Sequence, residues 1–258
     1  MGSVDDVPVL RGSMPLNFRS LSSYTGRDGR RVRPDCVYRS GAPDAVEAIA
    51  HLDLGLLADL RHPDERPHDD DGTVQPWPCT IVRMPAASTG EAPHLGLMDG
   101  TPLDDARIED YYLSLYRSLP LNASYQDLFG QFFRAVARST GSILIFCAAG
   151  KDRTGILTGL TGRILGLSDD DIMADYLMSN DDASLYETLS SIVCTNAAQT
   201  SGQILSDGLV RRVLGVSPAY LQAAFQQIDD QYGGLTSYLS AMNVTKSDVD
   251  AIRNRLLV

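Results

Sequence analysis

The sequence lacks any long apolar run. No apolar stretch approaches the roughly 20 residues that a membrane-spanning helix needs, so the sequence predicts no such helix. The first residues, MGSVDDVPVL, have neither the basic start nor the apolar run of a signal peptide, and Asp6 stands where a myristoylation signal requires Ser or Thr. We therefore expect a cytoplasmic protein without stable membrane association.

Cysteine and histidine are also scarce. The four cysteines, Cys36, Cys79, Cys147 and Cys194, are far apart and form no CxxC pair, and the four histidines form no HExxH pattern. Zinc sites and disulfide-rich domains have closer spacings. The sequence therefore predicts reduced thiols, no metal and no cofactor.

Positive charge is in deficit. The chain has 22 Lys and Arg against 33 Asp and Glu, a net charge of −11. Such a chain is not drawn electrostatically to nucleic acid or to an anionic membrane surface, and so we expect neither partner. A site for an anion would have to attract its ligand locally, against the field of the whole protein.

Hydrophobic periodicity predicts an α/β protein. Short apolar runs bounded by turn residues predict strands, and apolar residues that recur every three or four positions predict helices. No internal repeat or low-complexity tract divides the chain, so we expect a single domain over residues 1–258. The predicted strands cover 36–40, 54–61 and 142–146, and the predicted helices cover 45–52, 106–119, 125–137, 154–165, 168–180 and 247–257.

A segment rich in Pro and Gly precedes the first long helix. Residues 84–105 hold three Pro and three Gly, and irregular segments of this length are typical of lids, binding loops or disordered segments. Together with the helix that follows, 84–119 is predicted to form a lid or insertion. Tyr111, Tyr112 and Tyr116 of that helix either line the mouth of a pocket or pack in the core, and their helical spacing favours the core.

The segment FCAAGKDRTG carries the chemistry. A buried strand ends at Cys147, Gly150 permits a tight turn, and a helix follows Arg153. Such a loop aims backbone N–H groups and the positive end of a helix at one point, where they bind an anion. The same setting lowers a cysteine pKa from about 8.5 to roughly 3.5–7.5, which predicts that Cys147 is a nucleophile. Arg153 has the planar fork that binds two phosphate oxygens at once.

Two other interpretations fit this segment less well. A nucleotide-binding Walker loop would need Ser or Thr after Lys151 and Gly in place of Ile145, but Asp152 follows the lysine. A purely structural thiol is the commoner role of a lone buried cysteine. The glycine and the cations that follow the thiol favour the catalytic interpretation.

CAAGKDRTG resembles the CX5R phosphate loop of cysteine-dependent protein tyrosine phosphatases, in the GKDRTG form of an atypical bacterial group with dual-specificity and phosphoinositide activity. The resemblance covers nearly the whole chain and implies a tyrosine phosphatase-like fold, with a small central sheet flanked by helices and a helical lid. Further segments that look like those of this group, in the same order, are NFRSL (17–21), GRRVRPDCVYRSGAP (29–43), LADLR (57–61), DYLMSN (175–180) and YGGLTSYL (232–239).

The resemblance also implies a two-step hydrolysis of phosphate monoesters. Cys147 attacks phosphorus, a cysteinyl-phosphate forms, and water hydrolyses it. Arg153 and the loop amides would hold the transferring phosphoryl group. Thr154 would donate a hydrogen bond to the leaving thiolate, and Lys151 would add positive charge at the rim for more highly phosphorylated substrates. The implied substrate-binding residues are Ala148, Ala149, Gly150, Lys151, Thr154 and Gly155.

The leaving oxygen needs a proton donor, for which there are several candidates. The resemblance favours Asp152 inside the loop as the third catalytic residue, and Asp59 in LADLR is its rival. The irregular segment and the start of the next helix offer Asp99, Asp104 and Asp105 as further candidates.

Three residues near the loop support it or depart from the family. Arg39 and Arg61 resemble motif residues, and a scaffold role suits both better than contact with phosphate. Phe146 stands where the family almost always has His, which braces the loop and tunes the thiol. An aromatic residue also packs well at the end of a buried strand. The replacement leaves open how strongly Cys147 is activated and whether the enzyme is a fast general tyrosine phosphatase.

Three functions remain open on the sequence. The first is hydrolysis of phosphotyrosine or of a phosphoinositide. The second is hydrolysis of a soluble phosphorylated metabolite, such as a nucleoside or sugar phosphate of a biosynthetic pathway, which the missing histidine and the net negative charge favour. The third is phosphate binding without turnover, which the presence of Cys147, Asp152 and Arg153 together disfavours.

Overall fold

The computed structural model describes residues 14–22, 24–43, 49–66, 79–85 and 96–258 of the chain. Half of the helix predicted at 45–52, and much of the irregular segment from residue 84 onward, therefore lie outside the described residues. Within those ranges, no helix combines the length and the apolar character that crossing a membrane would require.

One mixed sheet organises the described part of the chain. Its strand order is β1-β2-β5-β3-β4, with β1 antiparallel to β2 and the other neighbours parallel. The last residue of the central strand is Cys147, so the carboxyl ends of the parallel strands meet where the thiol lies. The strands are β1 (Arg19–Ser20), β2 (Val37–Gly41), β3 (Leu54–Asp59), β4 (Thr80–Arg83) and β5 (Ser142–Cys147).

Helices flank this sheet and make up most of the carboxyl-terminal half. The helices are α1 (Asp105–Ser118), α2 (Ala123–Val136), α3 (Asp152–Leu165), α4 (Asp169–Leu177), α5 (Ala183–Ser201), α6 (Asp207–Leu214), α7 (Pro218–Tyr232), α8 (Leu235–Ala241) and α9 (Lys246–Leu256). The small sheet and its helices confirm the predicted α/β class.

Alternate residues of β5 belong to two hydrophobic cores. Ile143, Ile145 and Cys147 pack in the larger core with the helices, whereas Leu144 and Phe146 pack in a smaller core on the opposite face. Successive side chains of a strand point to opposite faces of the sheet. The thiol and the residue before it therefore lie in different environments.

Most helices begin and end close to the residues predicted from the sequence. Ser168 caps α4 through its hydroxyl, which accepts the amide of Asp171 at 3.0 Å, and α3 ends at Gly166 with φ +79°. The predicted helix at 168–180 is shorter than expected, because a 3₁₀ turn (Met178–Asn180) replaces its last residues. Strands β1 and β4 were not predicted, since two to four residues give too little alternation to recognise.

Candidate active site

The loop between β5 and α3 can only be built with glycine at position 150. Gly150 has φ +69°, and a Cβ atom there would lie 2.2 Å from the carbonyl carbon of Ser40. No side chain fits at that distance, and a positive φ is itself unfavourable for other residues. The glycine thus lets the loop press against the end of β2.

Asn17 and Arg39 hold the carbonyl groups of this loop from behind. The side-chain amide of Asn17 donates to the carbonyls of Gly150 at 2.9 Å and Ala149 at 3.3 Å, and Arg39 Nη2 donates to Gly150 at 2.8 Å. The C=O and N–H of a trans peptide point in opposite directions. Carbonyls fixed outward therefore turn the following amides toward the cavity.

The loop amides are left free to bind a ligand. Within the described ranges, the backbone N–H groups of residues 148–153 donate no hydrogen bond. The first amides of a helix lack partners in any case, and they carry the positive end of the helix dipole. The loop and the start of α3 therefore form a cradle for an oxyanion.

A buried ion-pair network supports the two side chains that hold the loop. Arg39 is completely buried, and its Nη1 donates to Asp175 at 2.5 Å and to Thr158 at 3.2 Å. Arg19 Nε donates to the other carboxylate oxygen of Asp175 at 3.1 Å. Burial is the main cause that lowers the pKa of Arg19, to about 10. This arrangement agrees with the scaffold role predicted for Arg39.

Cys147 lies at the floor of a cavity of about 230 Å³, beside most of the loop residues named from the sequence. The cysteine is 2% exposed. The walls of the cavity are mostly apolar and come from the turn at Gly96–Met98 and from α1, α5 and α6. The lining residues are Leu97, Met98, Tyr111, Tyr112, Leu115, Cys147, Ala148, Ala149, Lys151, Asp152, Arg153, Leu189, Ile192, Val193, Asn196, Val213 and Leu214.

Gly150, Thr154 and Gly155 are not among the residues that line the cavity. Gly155 packs against the ring of Tyr176, where a Cβ would come within 2.8 Å of two ring carbons. The lack of a side chain at Gly155 therefore allows close packing of this ring, and its contact with substrate stays a prediction. The Thr154 hydroxyl is buried and has no hydrogen-bond partner in the described structure.

Arg153 is held by Glu65, a residue that the sequence analysis did not single out. Both carboxylate oxygens of Glu65 accept from the two terminal nitrogens of Arg153, and Nη1 also donates to the carbonyl of Leu60 at 3.1 Å. Burial alone would lower the pKa of Arg153, but the Glu65 hydrogen bonds and the nearby Cys147 raise it well above its ordinary value. The guanidinium is therefore a permanent, fixed cation.

Lys151 does not lie at the rim, contrary to the expectation from the sequence. It is 5% exposed, and its ammonium donates to the carbonyls of Val213 at 2.8 Å and Gly215 at 3.2 Å and to the hydroxyl of Tyr112 at 3.1 Å. An ammonium group has three N–H donors, so protein acceptors use all of them. Burial would lower the pKa of Lys151, but Asp152 and Tyr112 raise it above its usual value.

Asp152 is the cavity carboxylate. Its Oδ1 accepts a hydrogen bond from the hydroxyl of Tyr116 at 2.9 Å, and its Oδ2 lies 3.6 Å from Lys151 Nζ. Asp152 stands in the first turn of α3, next to the cradle, where a carboxylate also complements the helix dipole.

The other acid candidates have structural partners elsewhere, and none of them lines the described cavity. Asp59 accepts from Arg61 through both oxygens, at 2.9 and 2.7 Å. Asp99 pairs with an arginine of α1, Asp104 caps that helix, and Asp105 pairs with an arginine of α6. Asp152 is therefore the one among the five candidates that lies beside the thiol.

Phe146 packs away from the thiol. Its side chain lies in the smaller core with Leu144, and the guanidinium of Arg61 lies 5.5 Å from its ring centroid. A cation above an aromatic face is attracted by the ring quadrupole. The packing interpretation of this aromatic residue therefore agrees with the structure.

The three tyrosines of α1 divide between core and cavity. Tyr112 and Tyr116 are buried, as the core interpretation predicts, while Tyr111 is partly exposed and lines the cavity with Tyr112. The described part of the predicted lid, 84–119, thus supplies one wall. The opposite wall comes from α5 and α6, which the sequence analysis did not associate with the site.

Comparison with known proteins agrees with this geometry. A profile of the tyrosine phosphatase family matches residues 12–258. The chain belongs to the tyrosine phosphatase family. The match confirms the predicted family and fold. Together with the relatives described below, it shows that the protein is a cysteine-dependent phosphatase that hydrolyses phosphoesters.

Three curated relatives carry phosphatase names. A candidate tyrosine-protein phosphatase of Cupriavidus necator is 29% identical over 248 residues, which cover 93% of this chain and 85% of the relative. The triple specificity protein phosphatase PtpB of Mycobacterium tuberculosis is 34% identical over 152 residues, or 57% of this chain and 55% of PtpB. A tyrosine-protein phosphatase of Nostoc commune is 29% identical over 216 residues, or 81% of this chain and 68% of the relative.

Proposed function

We propose that this phosphatase hydrolyses monoesters of an aryl alcohol, with phosphotyrosine as the natural representative. The observation that carries the proposal is the composition of the cavity, which has a phosphate cradle at its floor and Leu, Ile, Val, Met and Tyr side chains on its walls. Apolar walls favour an apolar ring next to the phosphate, and a few polar groups fix its orientation.

Soluble sugar or nucleoside phosphates suit these walls less well. Their hydroxyls would lose water on entry and find few partners, and a buried polar group without a partner costs free energy. Among the wall residues outside the loop, Asn196 offers a side-chain amide, whereas the hydroxyl of Tyr112 is already bonded to the backbone of Val213 at 2.6 Å.

Multiply phosphorylated inositides also lack a partner for their additional charges. The two cations that line the cavity within the described residues are Lys151 and Arg153, and both are bonded to protein acceptors. Arg153 retains donors for one phosphoryl group, but Lys151 has none to spare. The name of the mycobacterial relative, a triple specificity phosphatase, is nevertheless a reason to test more than one substrate class.

In the first step, the sulfur of Cys147 attacks phosphorus in line with the leaving oxygen. The S–P bond forms as the P–O bond breaks, and Asp152 gives its proton to the departing oxygen. The amides of residues 148–153 and Arg153 hold the three remaining phosphoryl oxygens. Because these donors are fixed before the reaction, they stabilise the transition state without reorganisation.

In the second step, water attacks the cysteinyl-phosphate. Asp152, now a carboxylate, accepts a proton from the water, and the S–P bond breaks to release inorganic phosphate. The buried hydroxyl of Thr154, which lacks a described partner, is the donor that we assign to the thiolate as it leaves. The enzyme returns to its starting protonation state.

A panel of phosphoesters assayed in EDTA tests the substrate class. We expect kcat/KM for a phosphotyrosine peptide to exceed that for inositol phosphates and nucleoside monophosphates by at least about tenfold, because burial of an aromatic ring contributes a few kcal/mol. The Cys147→Ser variant serves as the blank for contaminating phosphatases. Equal or faster hydrolysis of a nucleoside or sugar phosphate would reject the aryl proposal and favour a metabolite.

A further inference from the structure

Two buried tyrosines form a hydrogen-bonded chain that ends on Asp152. Tyr176 of α4 donates to the hydroxyl of Tyr116 of α1 at 2.7 Å, and Tyr116 donates to Asp152 Oδ1 at 2.9 Å. Tyr116 is 0% exposed and Tyr176 is 1% exposed. Three different helices therefore meet at the side chain of the loop carboxylate.

The chain has a defined direction. The oxygen of Tyr116 accepts a hydrogen bond from Tyr176, so its own single hydrogen is available for Asp152. Burial, and after it the charge of Asp152, raises the pKa of both phenols well above the usual value. Tyr116 is therefore protonated, and can donate, near neutral pH.

The outer tyrosine is anchored to the same helix that carries the carboxylate. The ring of Tyr176 contacts the backbone of Gly155, one turn along α3 from Asp152, and it meets the ring of Tyr116 edge-on with centroids 6.2 Å apart. Movement of α3 relative to the tyrosines is thus resisted by packing. The hydroxyl of Tyr116 stays in register with Asp152 Oδ1.

We propose that Tyr116, oriented by Tyr176, is a positioning residue that occupies Oδ1 of Asp152 and so assigns proton transfer to Oδ2. When the ester bond breaks, the proton leaves Oδ2 for the departing oxygen and Asp152 becomes a carboxylate. The hydrogen bond from Tyr116 then compensates part of the new negative charge. Within the described residues, the cation paired with this carboxylate is Lys151, whose Nζ lies 3.6 Å from Oδ2. This inference depends on the proposed role of Asp152 as the acid.

The dependence of rate on the leaving group tests the inference. A poor leaving group such as phenol needs protonation, whereas dinitrophenol leaves without it. We expect Tyr116→Phe to lower kcat/KM by about tenfold for phenyl phosphate and by less than about threefold for 2,4-dinitrophenyl phosphate. A merely structural role would lower both values equally, and that result would overturn the inference.

The Tyr238→Phe variant is a matched control. Tyr238 is also fully buried, and its hydroxyl donates to the carbonyl of Pro120 at 2.7 Å, away from the cavity. Tyr238→Phe removes a buried phenolic hydroxyl, as Tyr116→Phe does, and we expect it to lower the free energy of unfolding by a similar amount. Any change in activity of Tyr238→Phe should be the same for both esters.

The Asp152→Asn variant separates this inference from the proposed function. Asp152→Asn should itself lower kcat/KM far more for phenyl phosphate than for dinitrophenyl phosphate. Adding Tyr116→Phe to this variant should not change the ratio of the two kcat/KM values further. If Asp152→Asn slows both esters equally, the acid role fails and the inference fails with it. If only Asp152→Asn changes the ratio, the acid role stands and the role of Tyr116 is rejected.

Tyr176→Phe keeps the test valid if Tyr116→Phe does not fold. Tyr176→Phe keeps the hydrogen bond between Tyr116 and Asp152 and removes only the hydrogen bond that orients Tyr116. We therefore expect kcat/KM to fall about threefold for phenyl phosphate and to stay unchanged for dinitrophenyl phosphate. Competitive inhibition by inorganic phosphate, unchanged in each variant, establishes that the cradle is intact. Equal losses on both esters for Tyr176→Phe would again overturn the inference.

Discussion

The side-chain amide of Asn17 donates a hydrogen bond to the carbonyl oxygen of Gly150, 133 residues later in the chain, across 2.9 Å. Asn17 itself has φ +55° and is 1% exposed. The bond fixes the direction of one loop carbonyl, and through the planar peptide it fixes the direction of the next amide. A residue remote in sequence thus shapes the anion cradle.

Removal of this amide should weaken phosphate binding more than it weakens the fold. We expect Asn17→Gly, which keeps a residue that accepts positive φ, to raise the inhibition constant of inorganic phosphate about tenfold. The carbonyl of Ala149 loses its side-chain donor and that of Gly150 keeps only Arg39, at a cost of about 1–3 kcal/mol. Competitive inhibition and thermal unfolding measure the two effects separately. Unchanged phosphate affinity in a folded variant would contradict the role of Asn17.

A methyl group at position 150 should abolish phosphate binding. A Cβ would lie 2.2 Å from the carbonyl carbon of Ser40, so the loop must move to accept Gly150→Ala. The control is Gly202→Ala, which has a similar φ of +70° and no atom within 4 Å of the new Cβ. It should cost about 1–2 kcal/mol of backbone strain and leave kcat/KM unchanged. Equal activity of the two variants would refute the steric argument.

Lys151 is predicted to stabilise the end of α6 and not to select highly phosphorylated substrates. We expect Lys151→Met to lower the free energy of unfolding by about 3 kcal/mol, because it removes a buried charge from three acceptors and from the neighbourhood of Asp152. Lys246→Met, which removes an exposed ion pair with Asp250, should cost about 0.5 kcal/mol or less. Chemical denaturation of both variants measures the difference.

The pH dependence of this loss has a defined sign. The folded state raises the pKa of Lys151 above its usual value, so the stabilisation is fully present below the unfolded pKa of about 10.4 and is lost only as pH rises through the folded pKa. The difference between wild type and Lys151→Met should therefore be constant from about pH 6 to 9. If Lys151→Met instead lost activity only toward multiply phosphorylated substrates, Lys151 would select those substrates, as the sequence analysis expected.

Local sequence signals predicted the chemistry and most of the secondary structure. The thiol, glycine and arginine of the loop are close in sequence, so their spacing alone indicates a phosphate cradle. The helix predicted from residue 168 starts as expected, because the Ser168 cap acts on its immediate neighbours.

The residues that orient the loop could not be predicted in the same way. Asn17 and Glu65 reach the loop from 133 and 88 residues away, and no periodicity records a contact of that separation. Tyr116 was correctly expected in the core, but its partner Asp152 lies 36 residues away. The family resemblance placed Lys151 at the rim, whereas the end of α6 offers it buried carbonyls.

The central claim is that the sulfur of Cys147 becomes covalently phosphorylated during turnover. The most direct test is a rapid acid quench of the enzyme with an aryl phosphate, followed by intact and peptide mass spectrometry beside Cys147→Ser. We predict one phosphoryl group on Cys147 in the wild type, and no turnover with retained phosphate binding in Cys147→Ser. Hydrolysis by Cys147→Ser at the wild-type rate, or a phosphoryl group on another residue, would contradict the account.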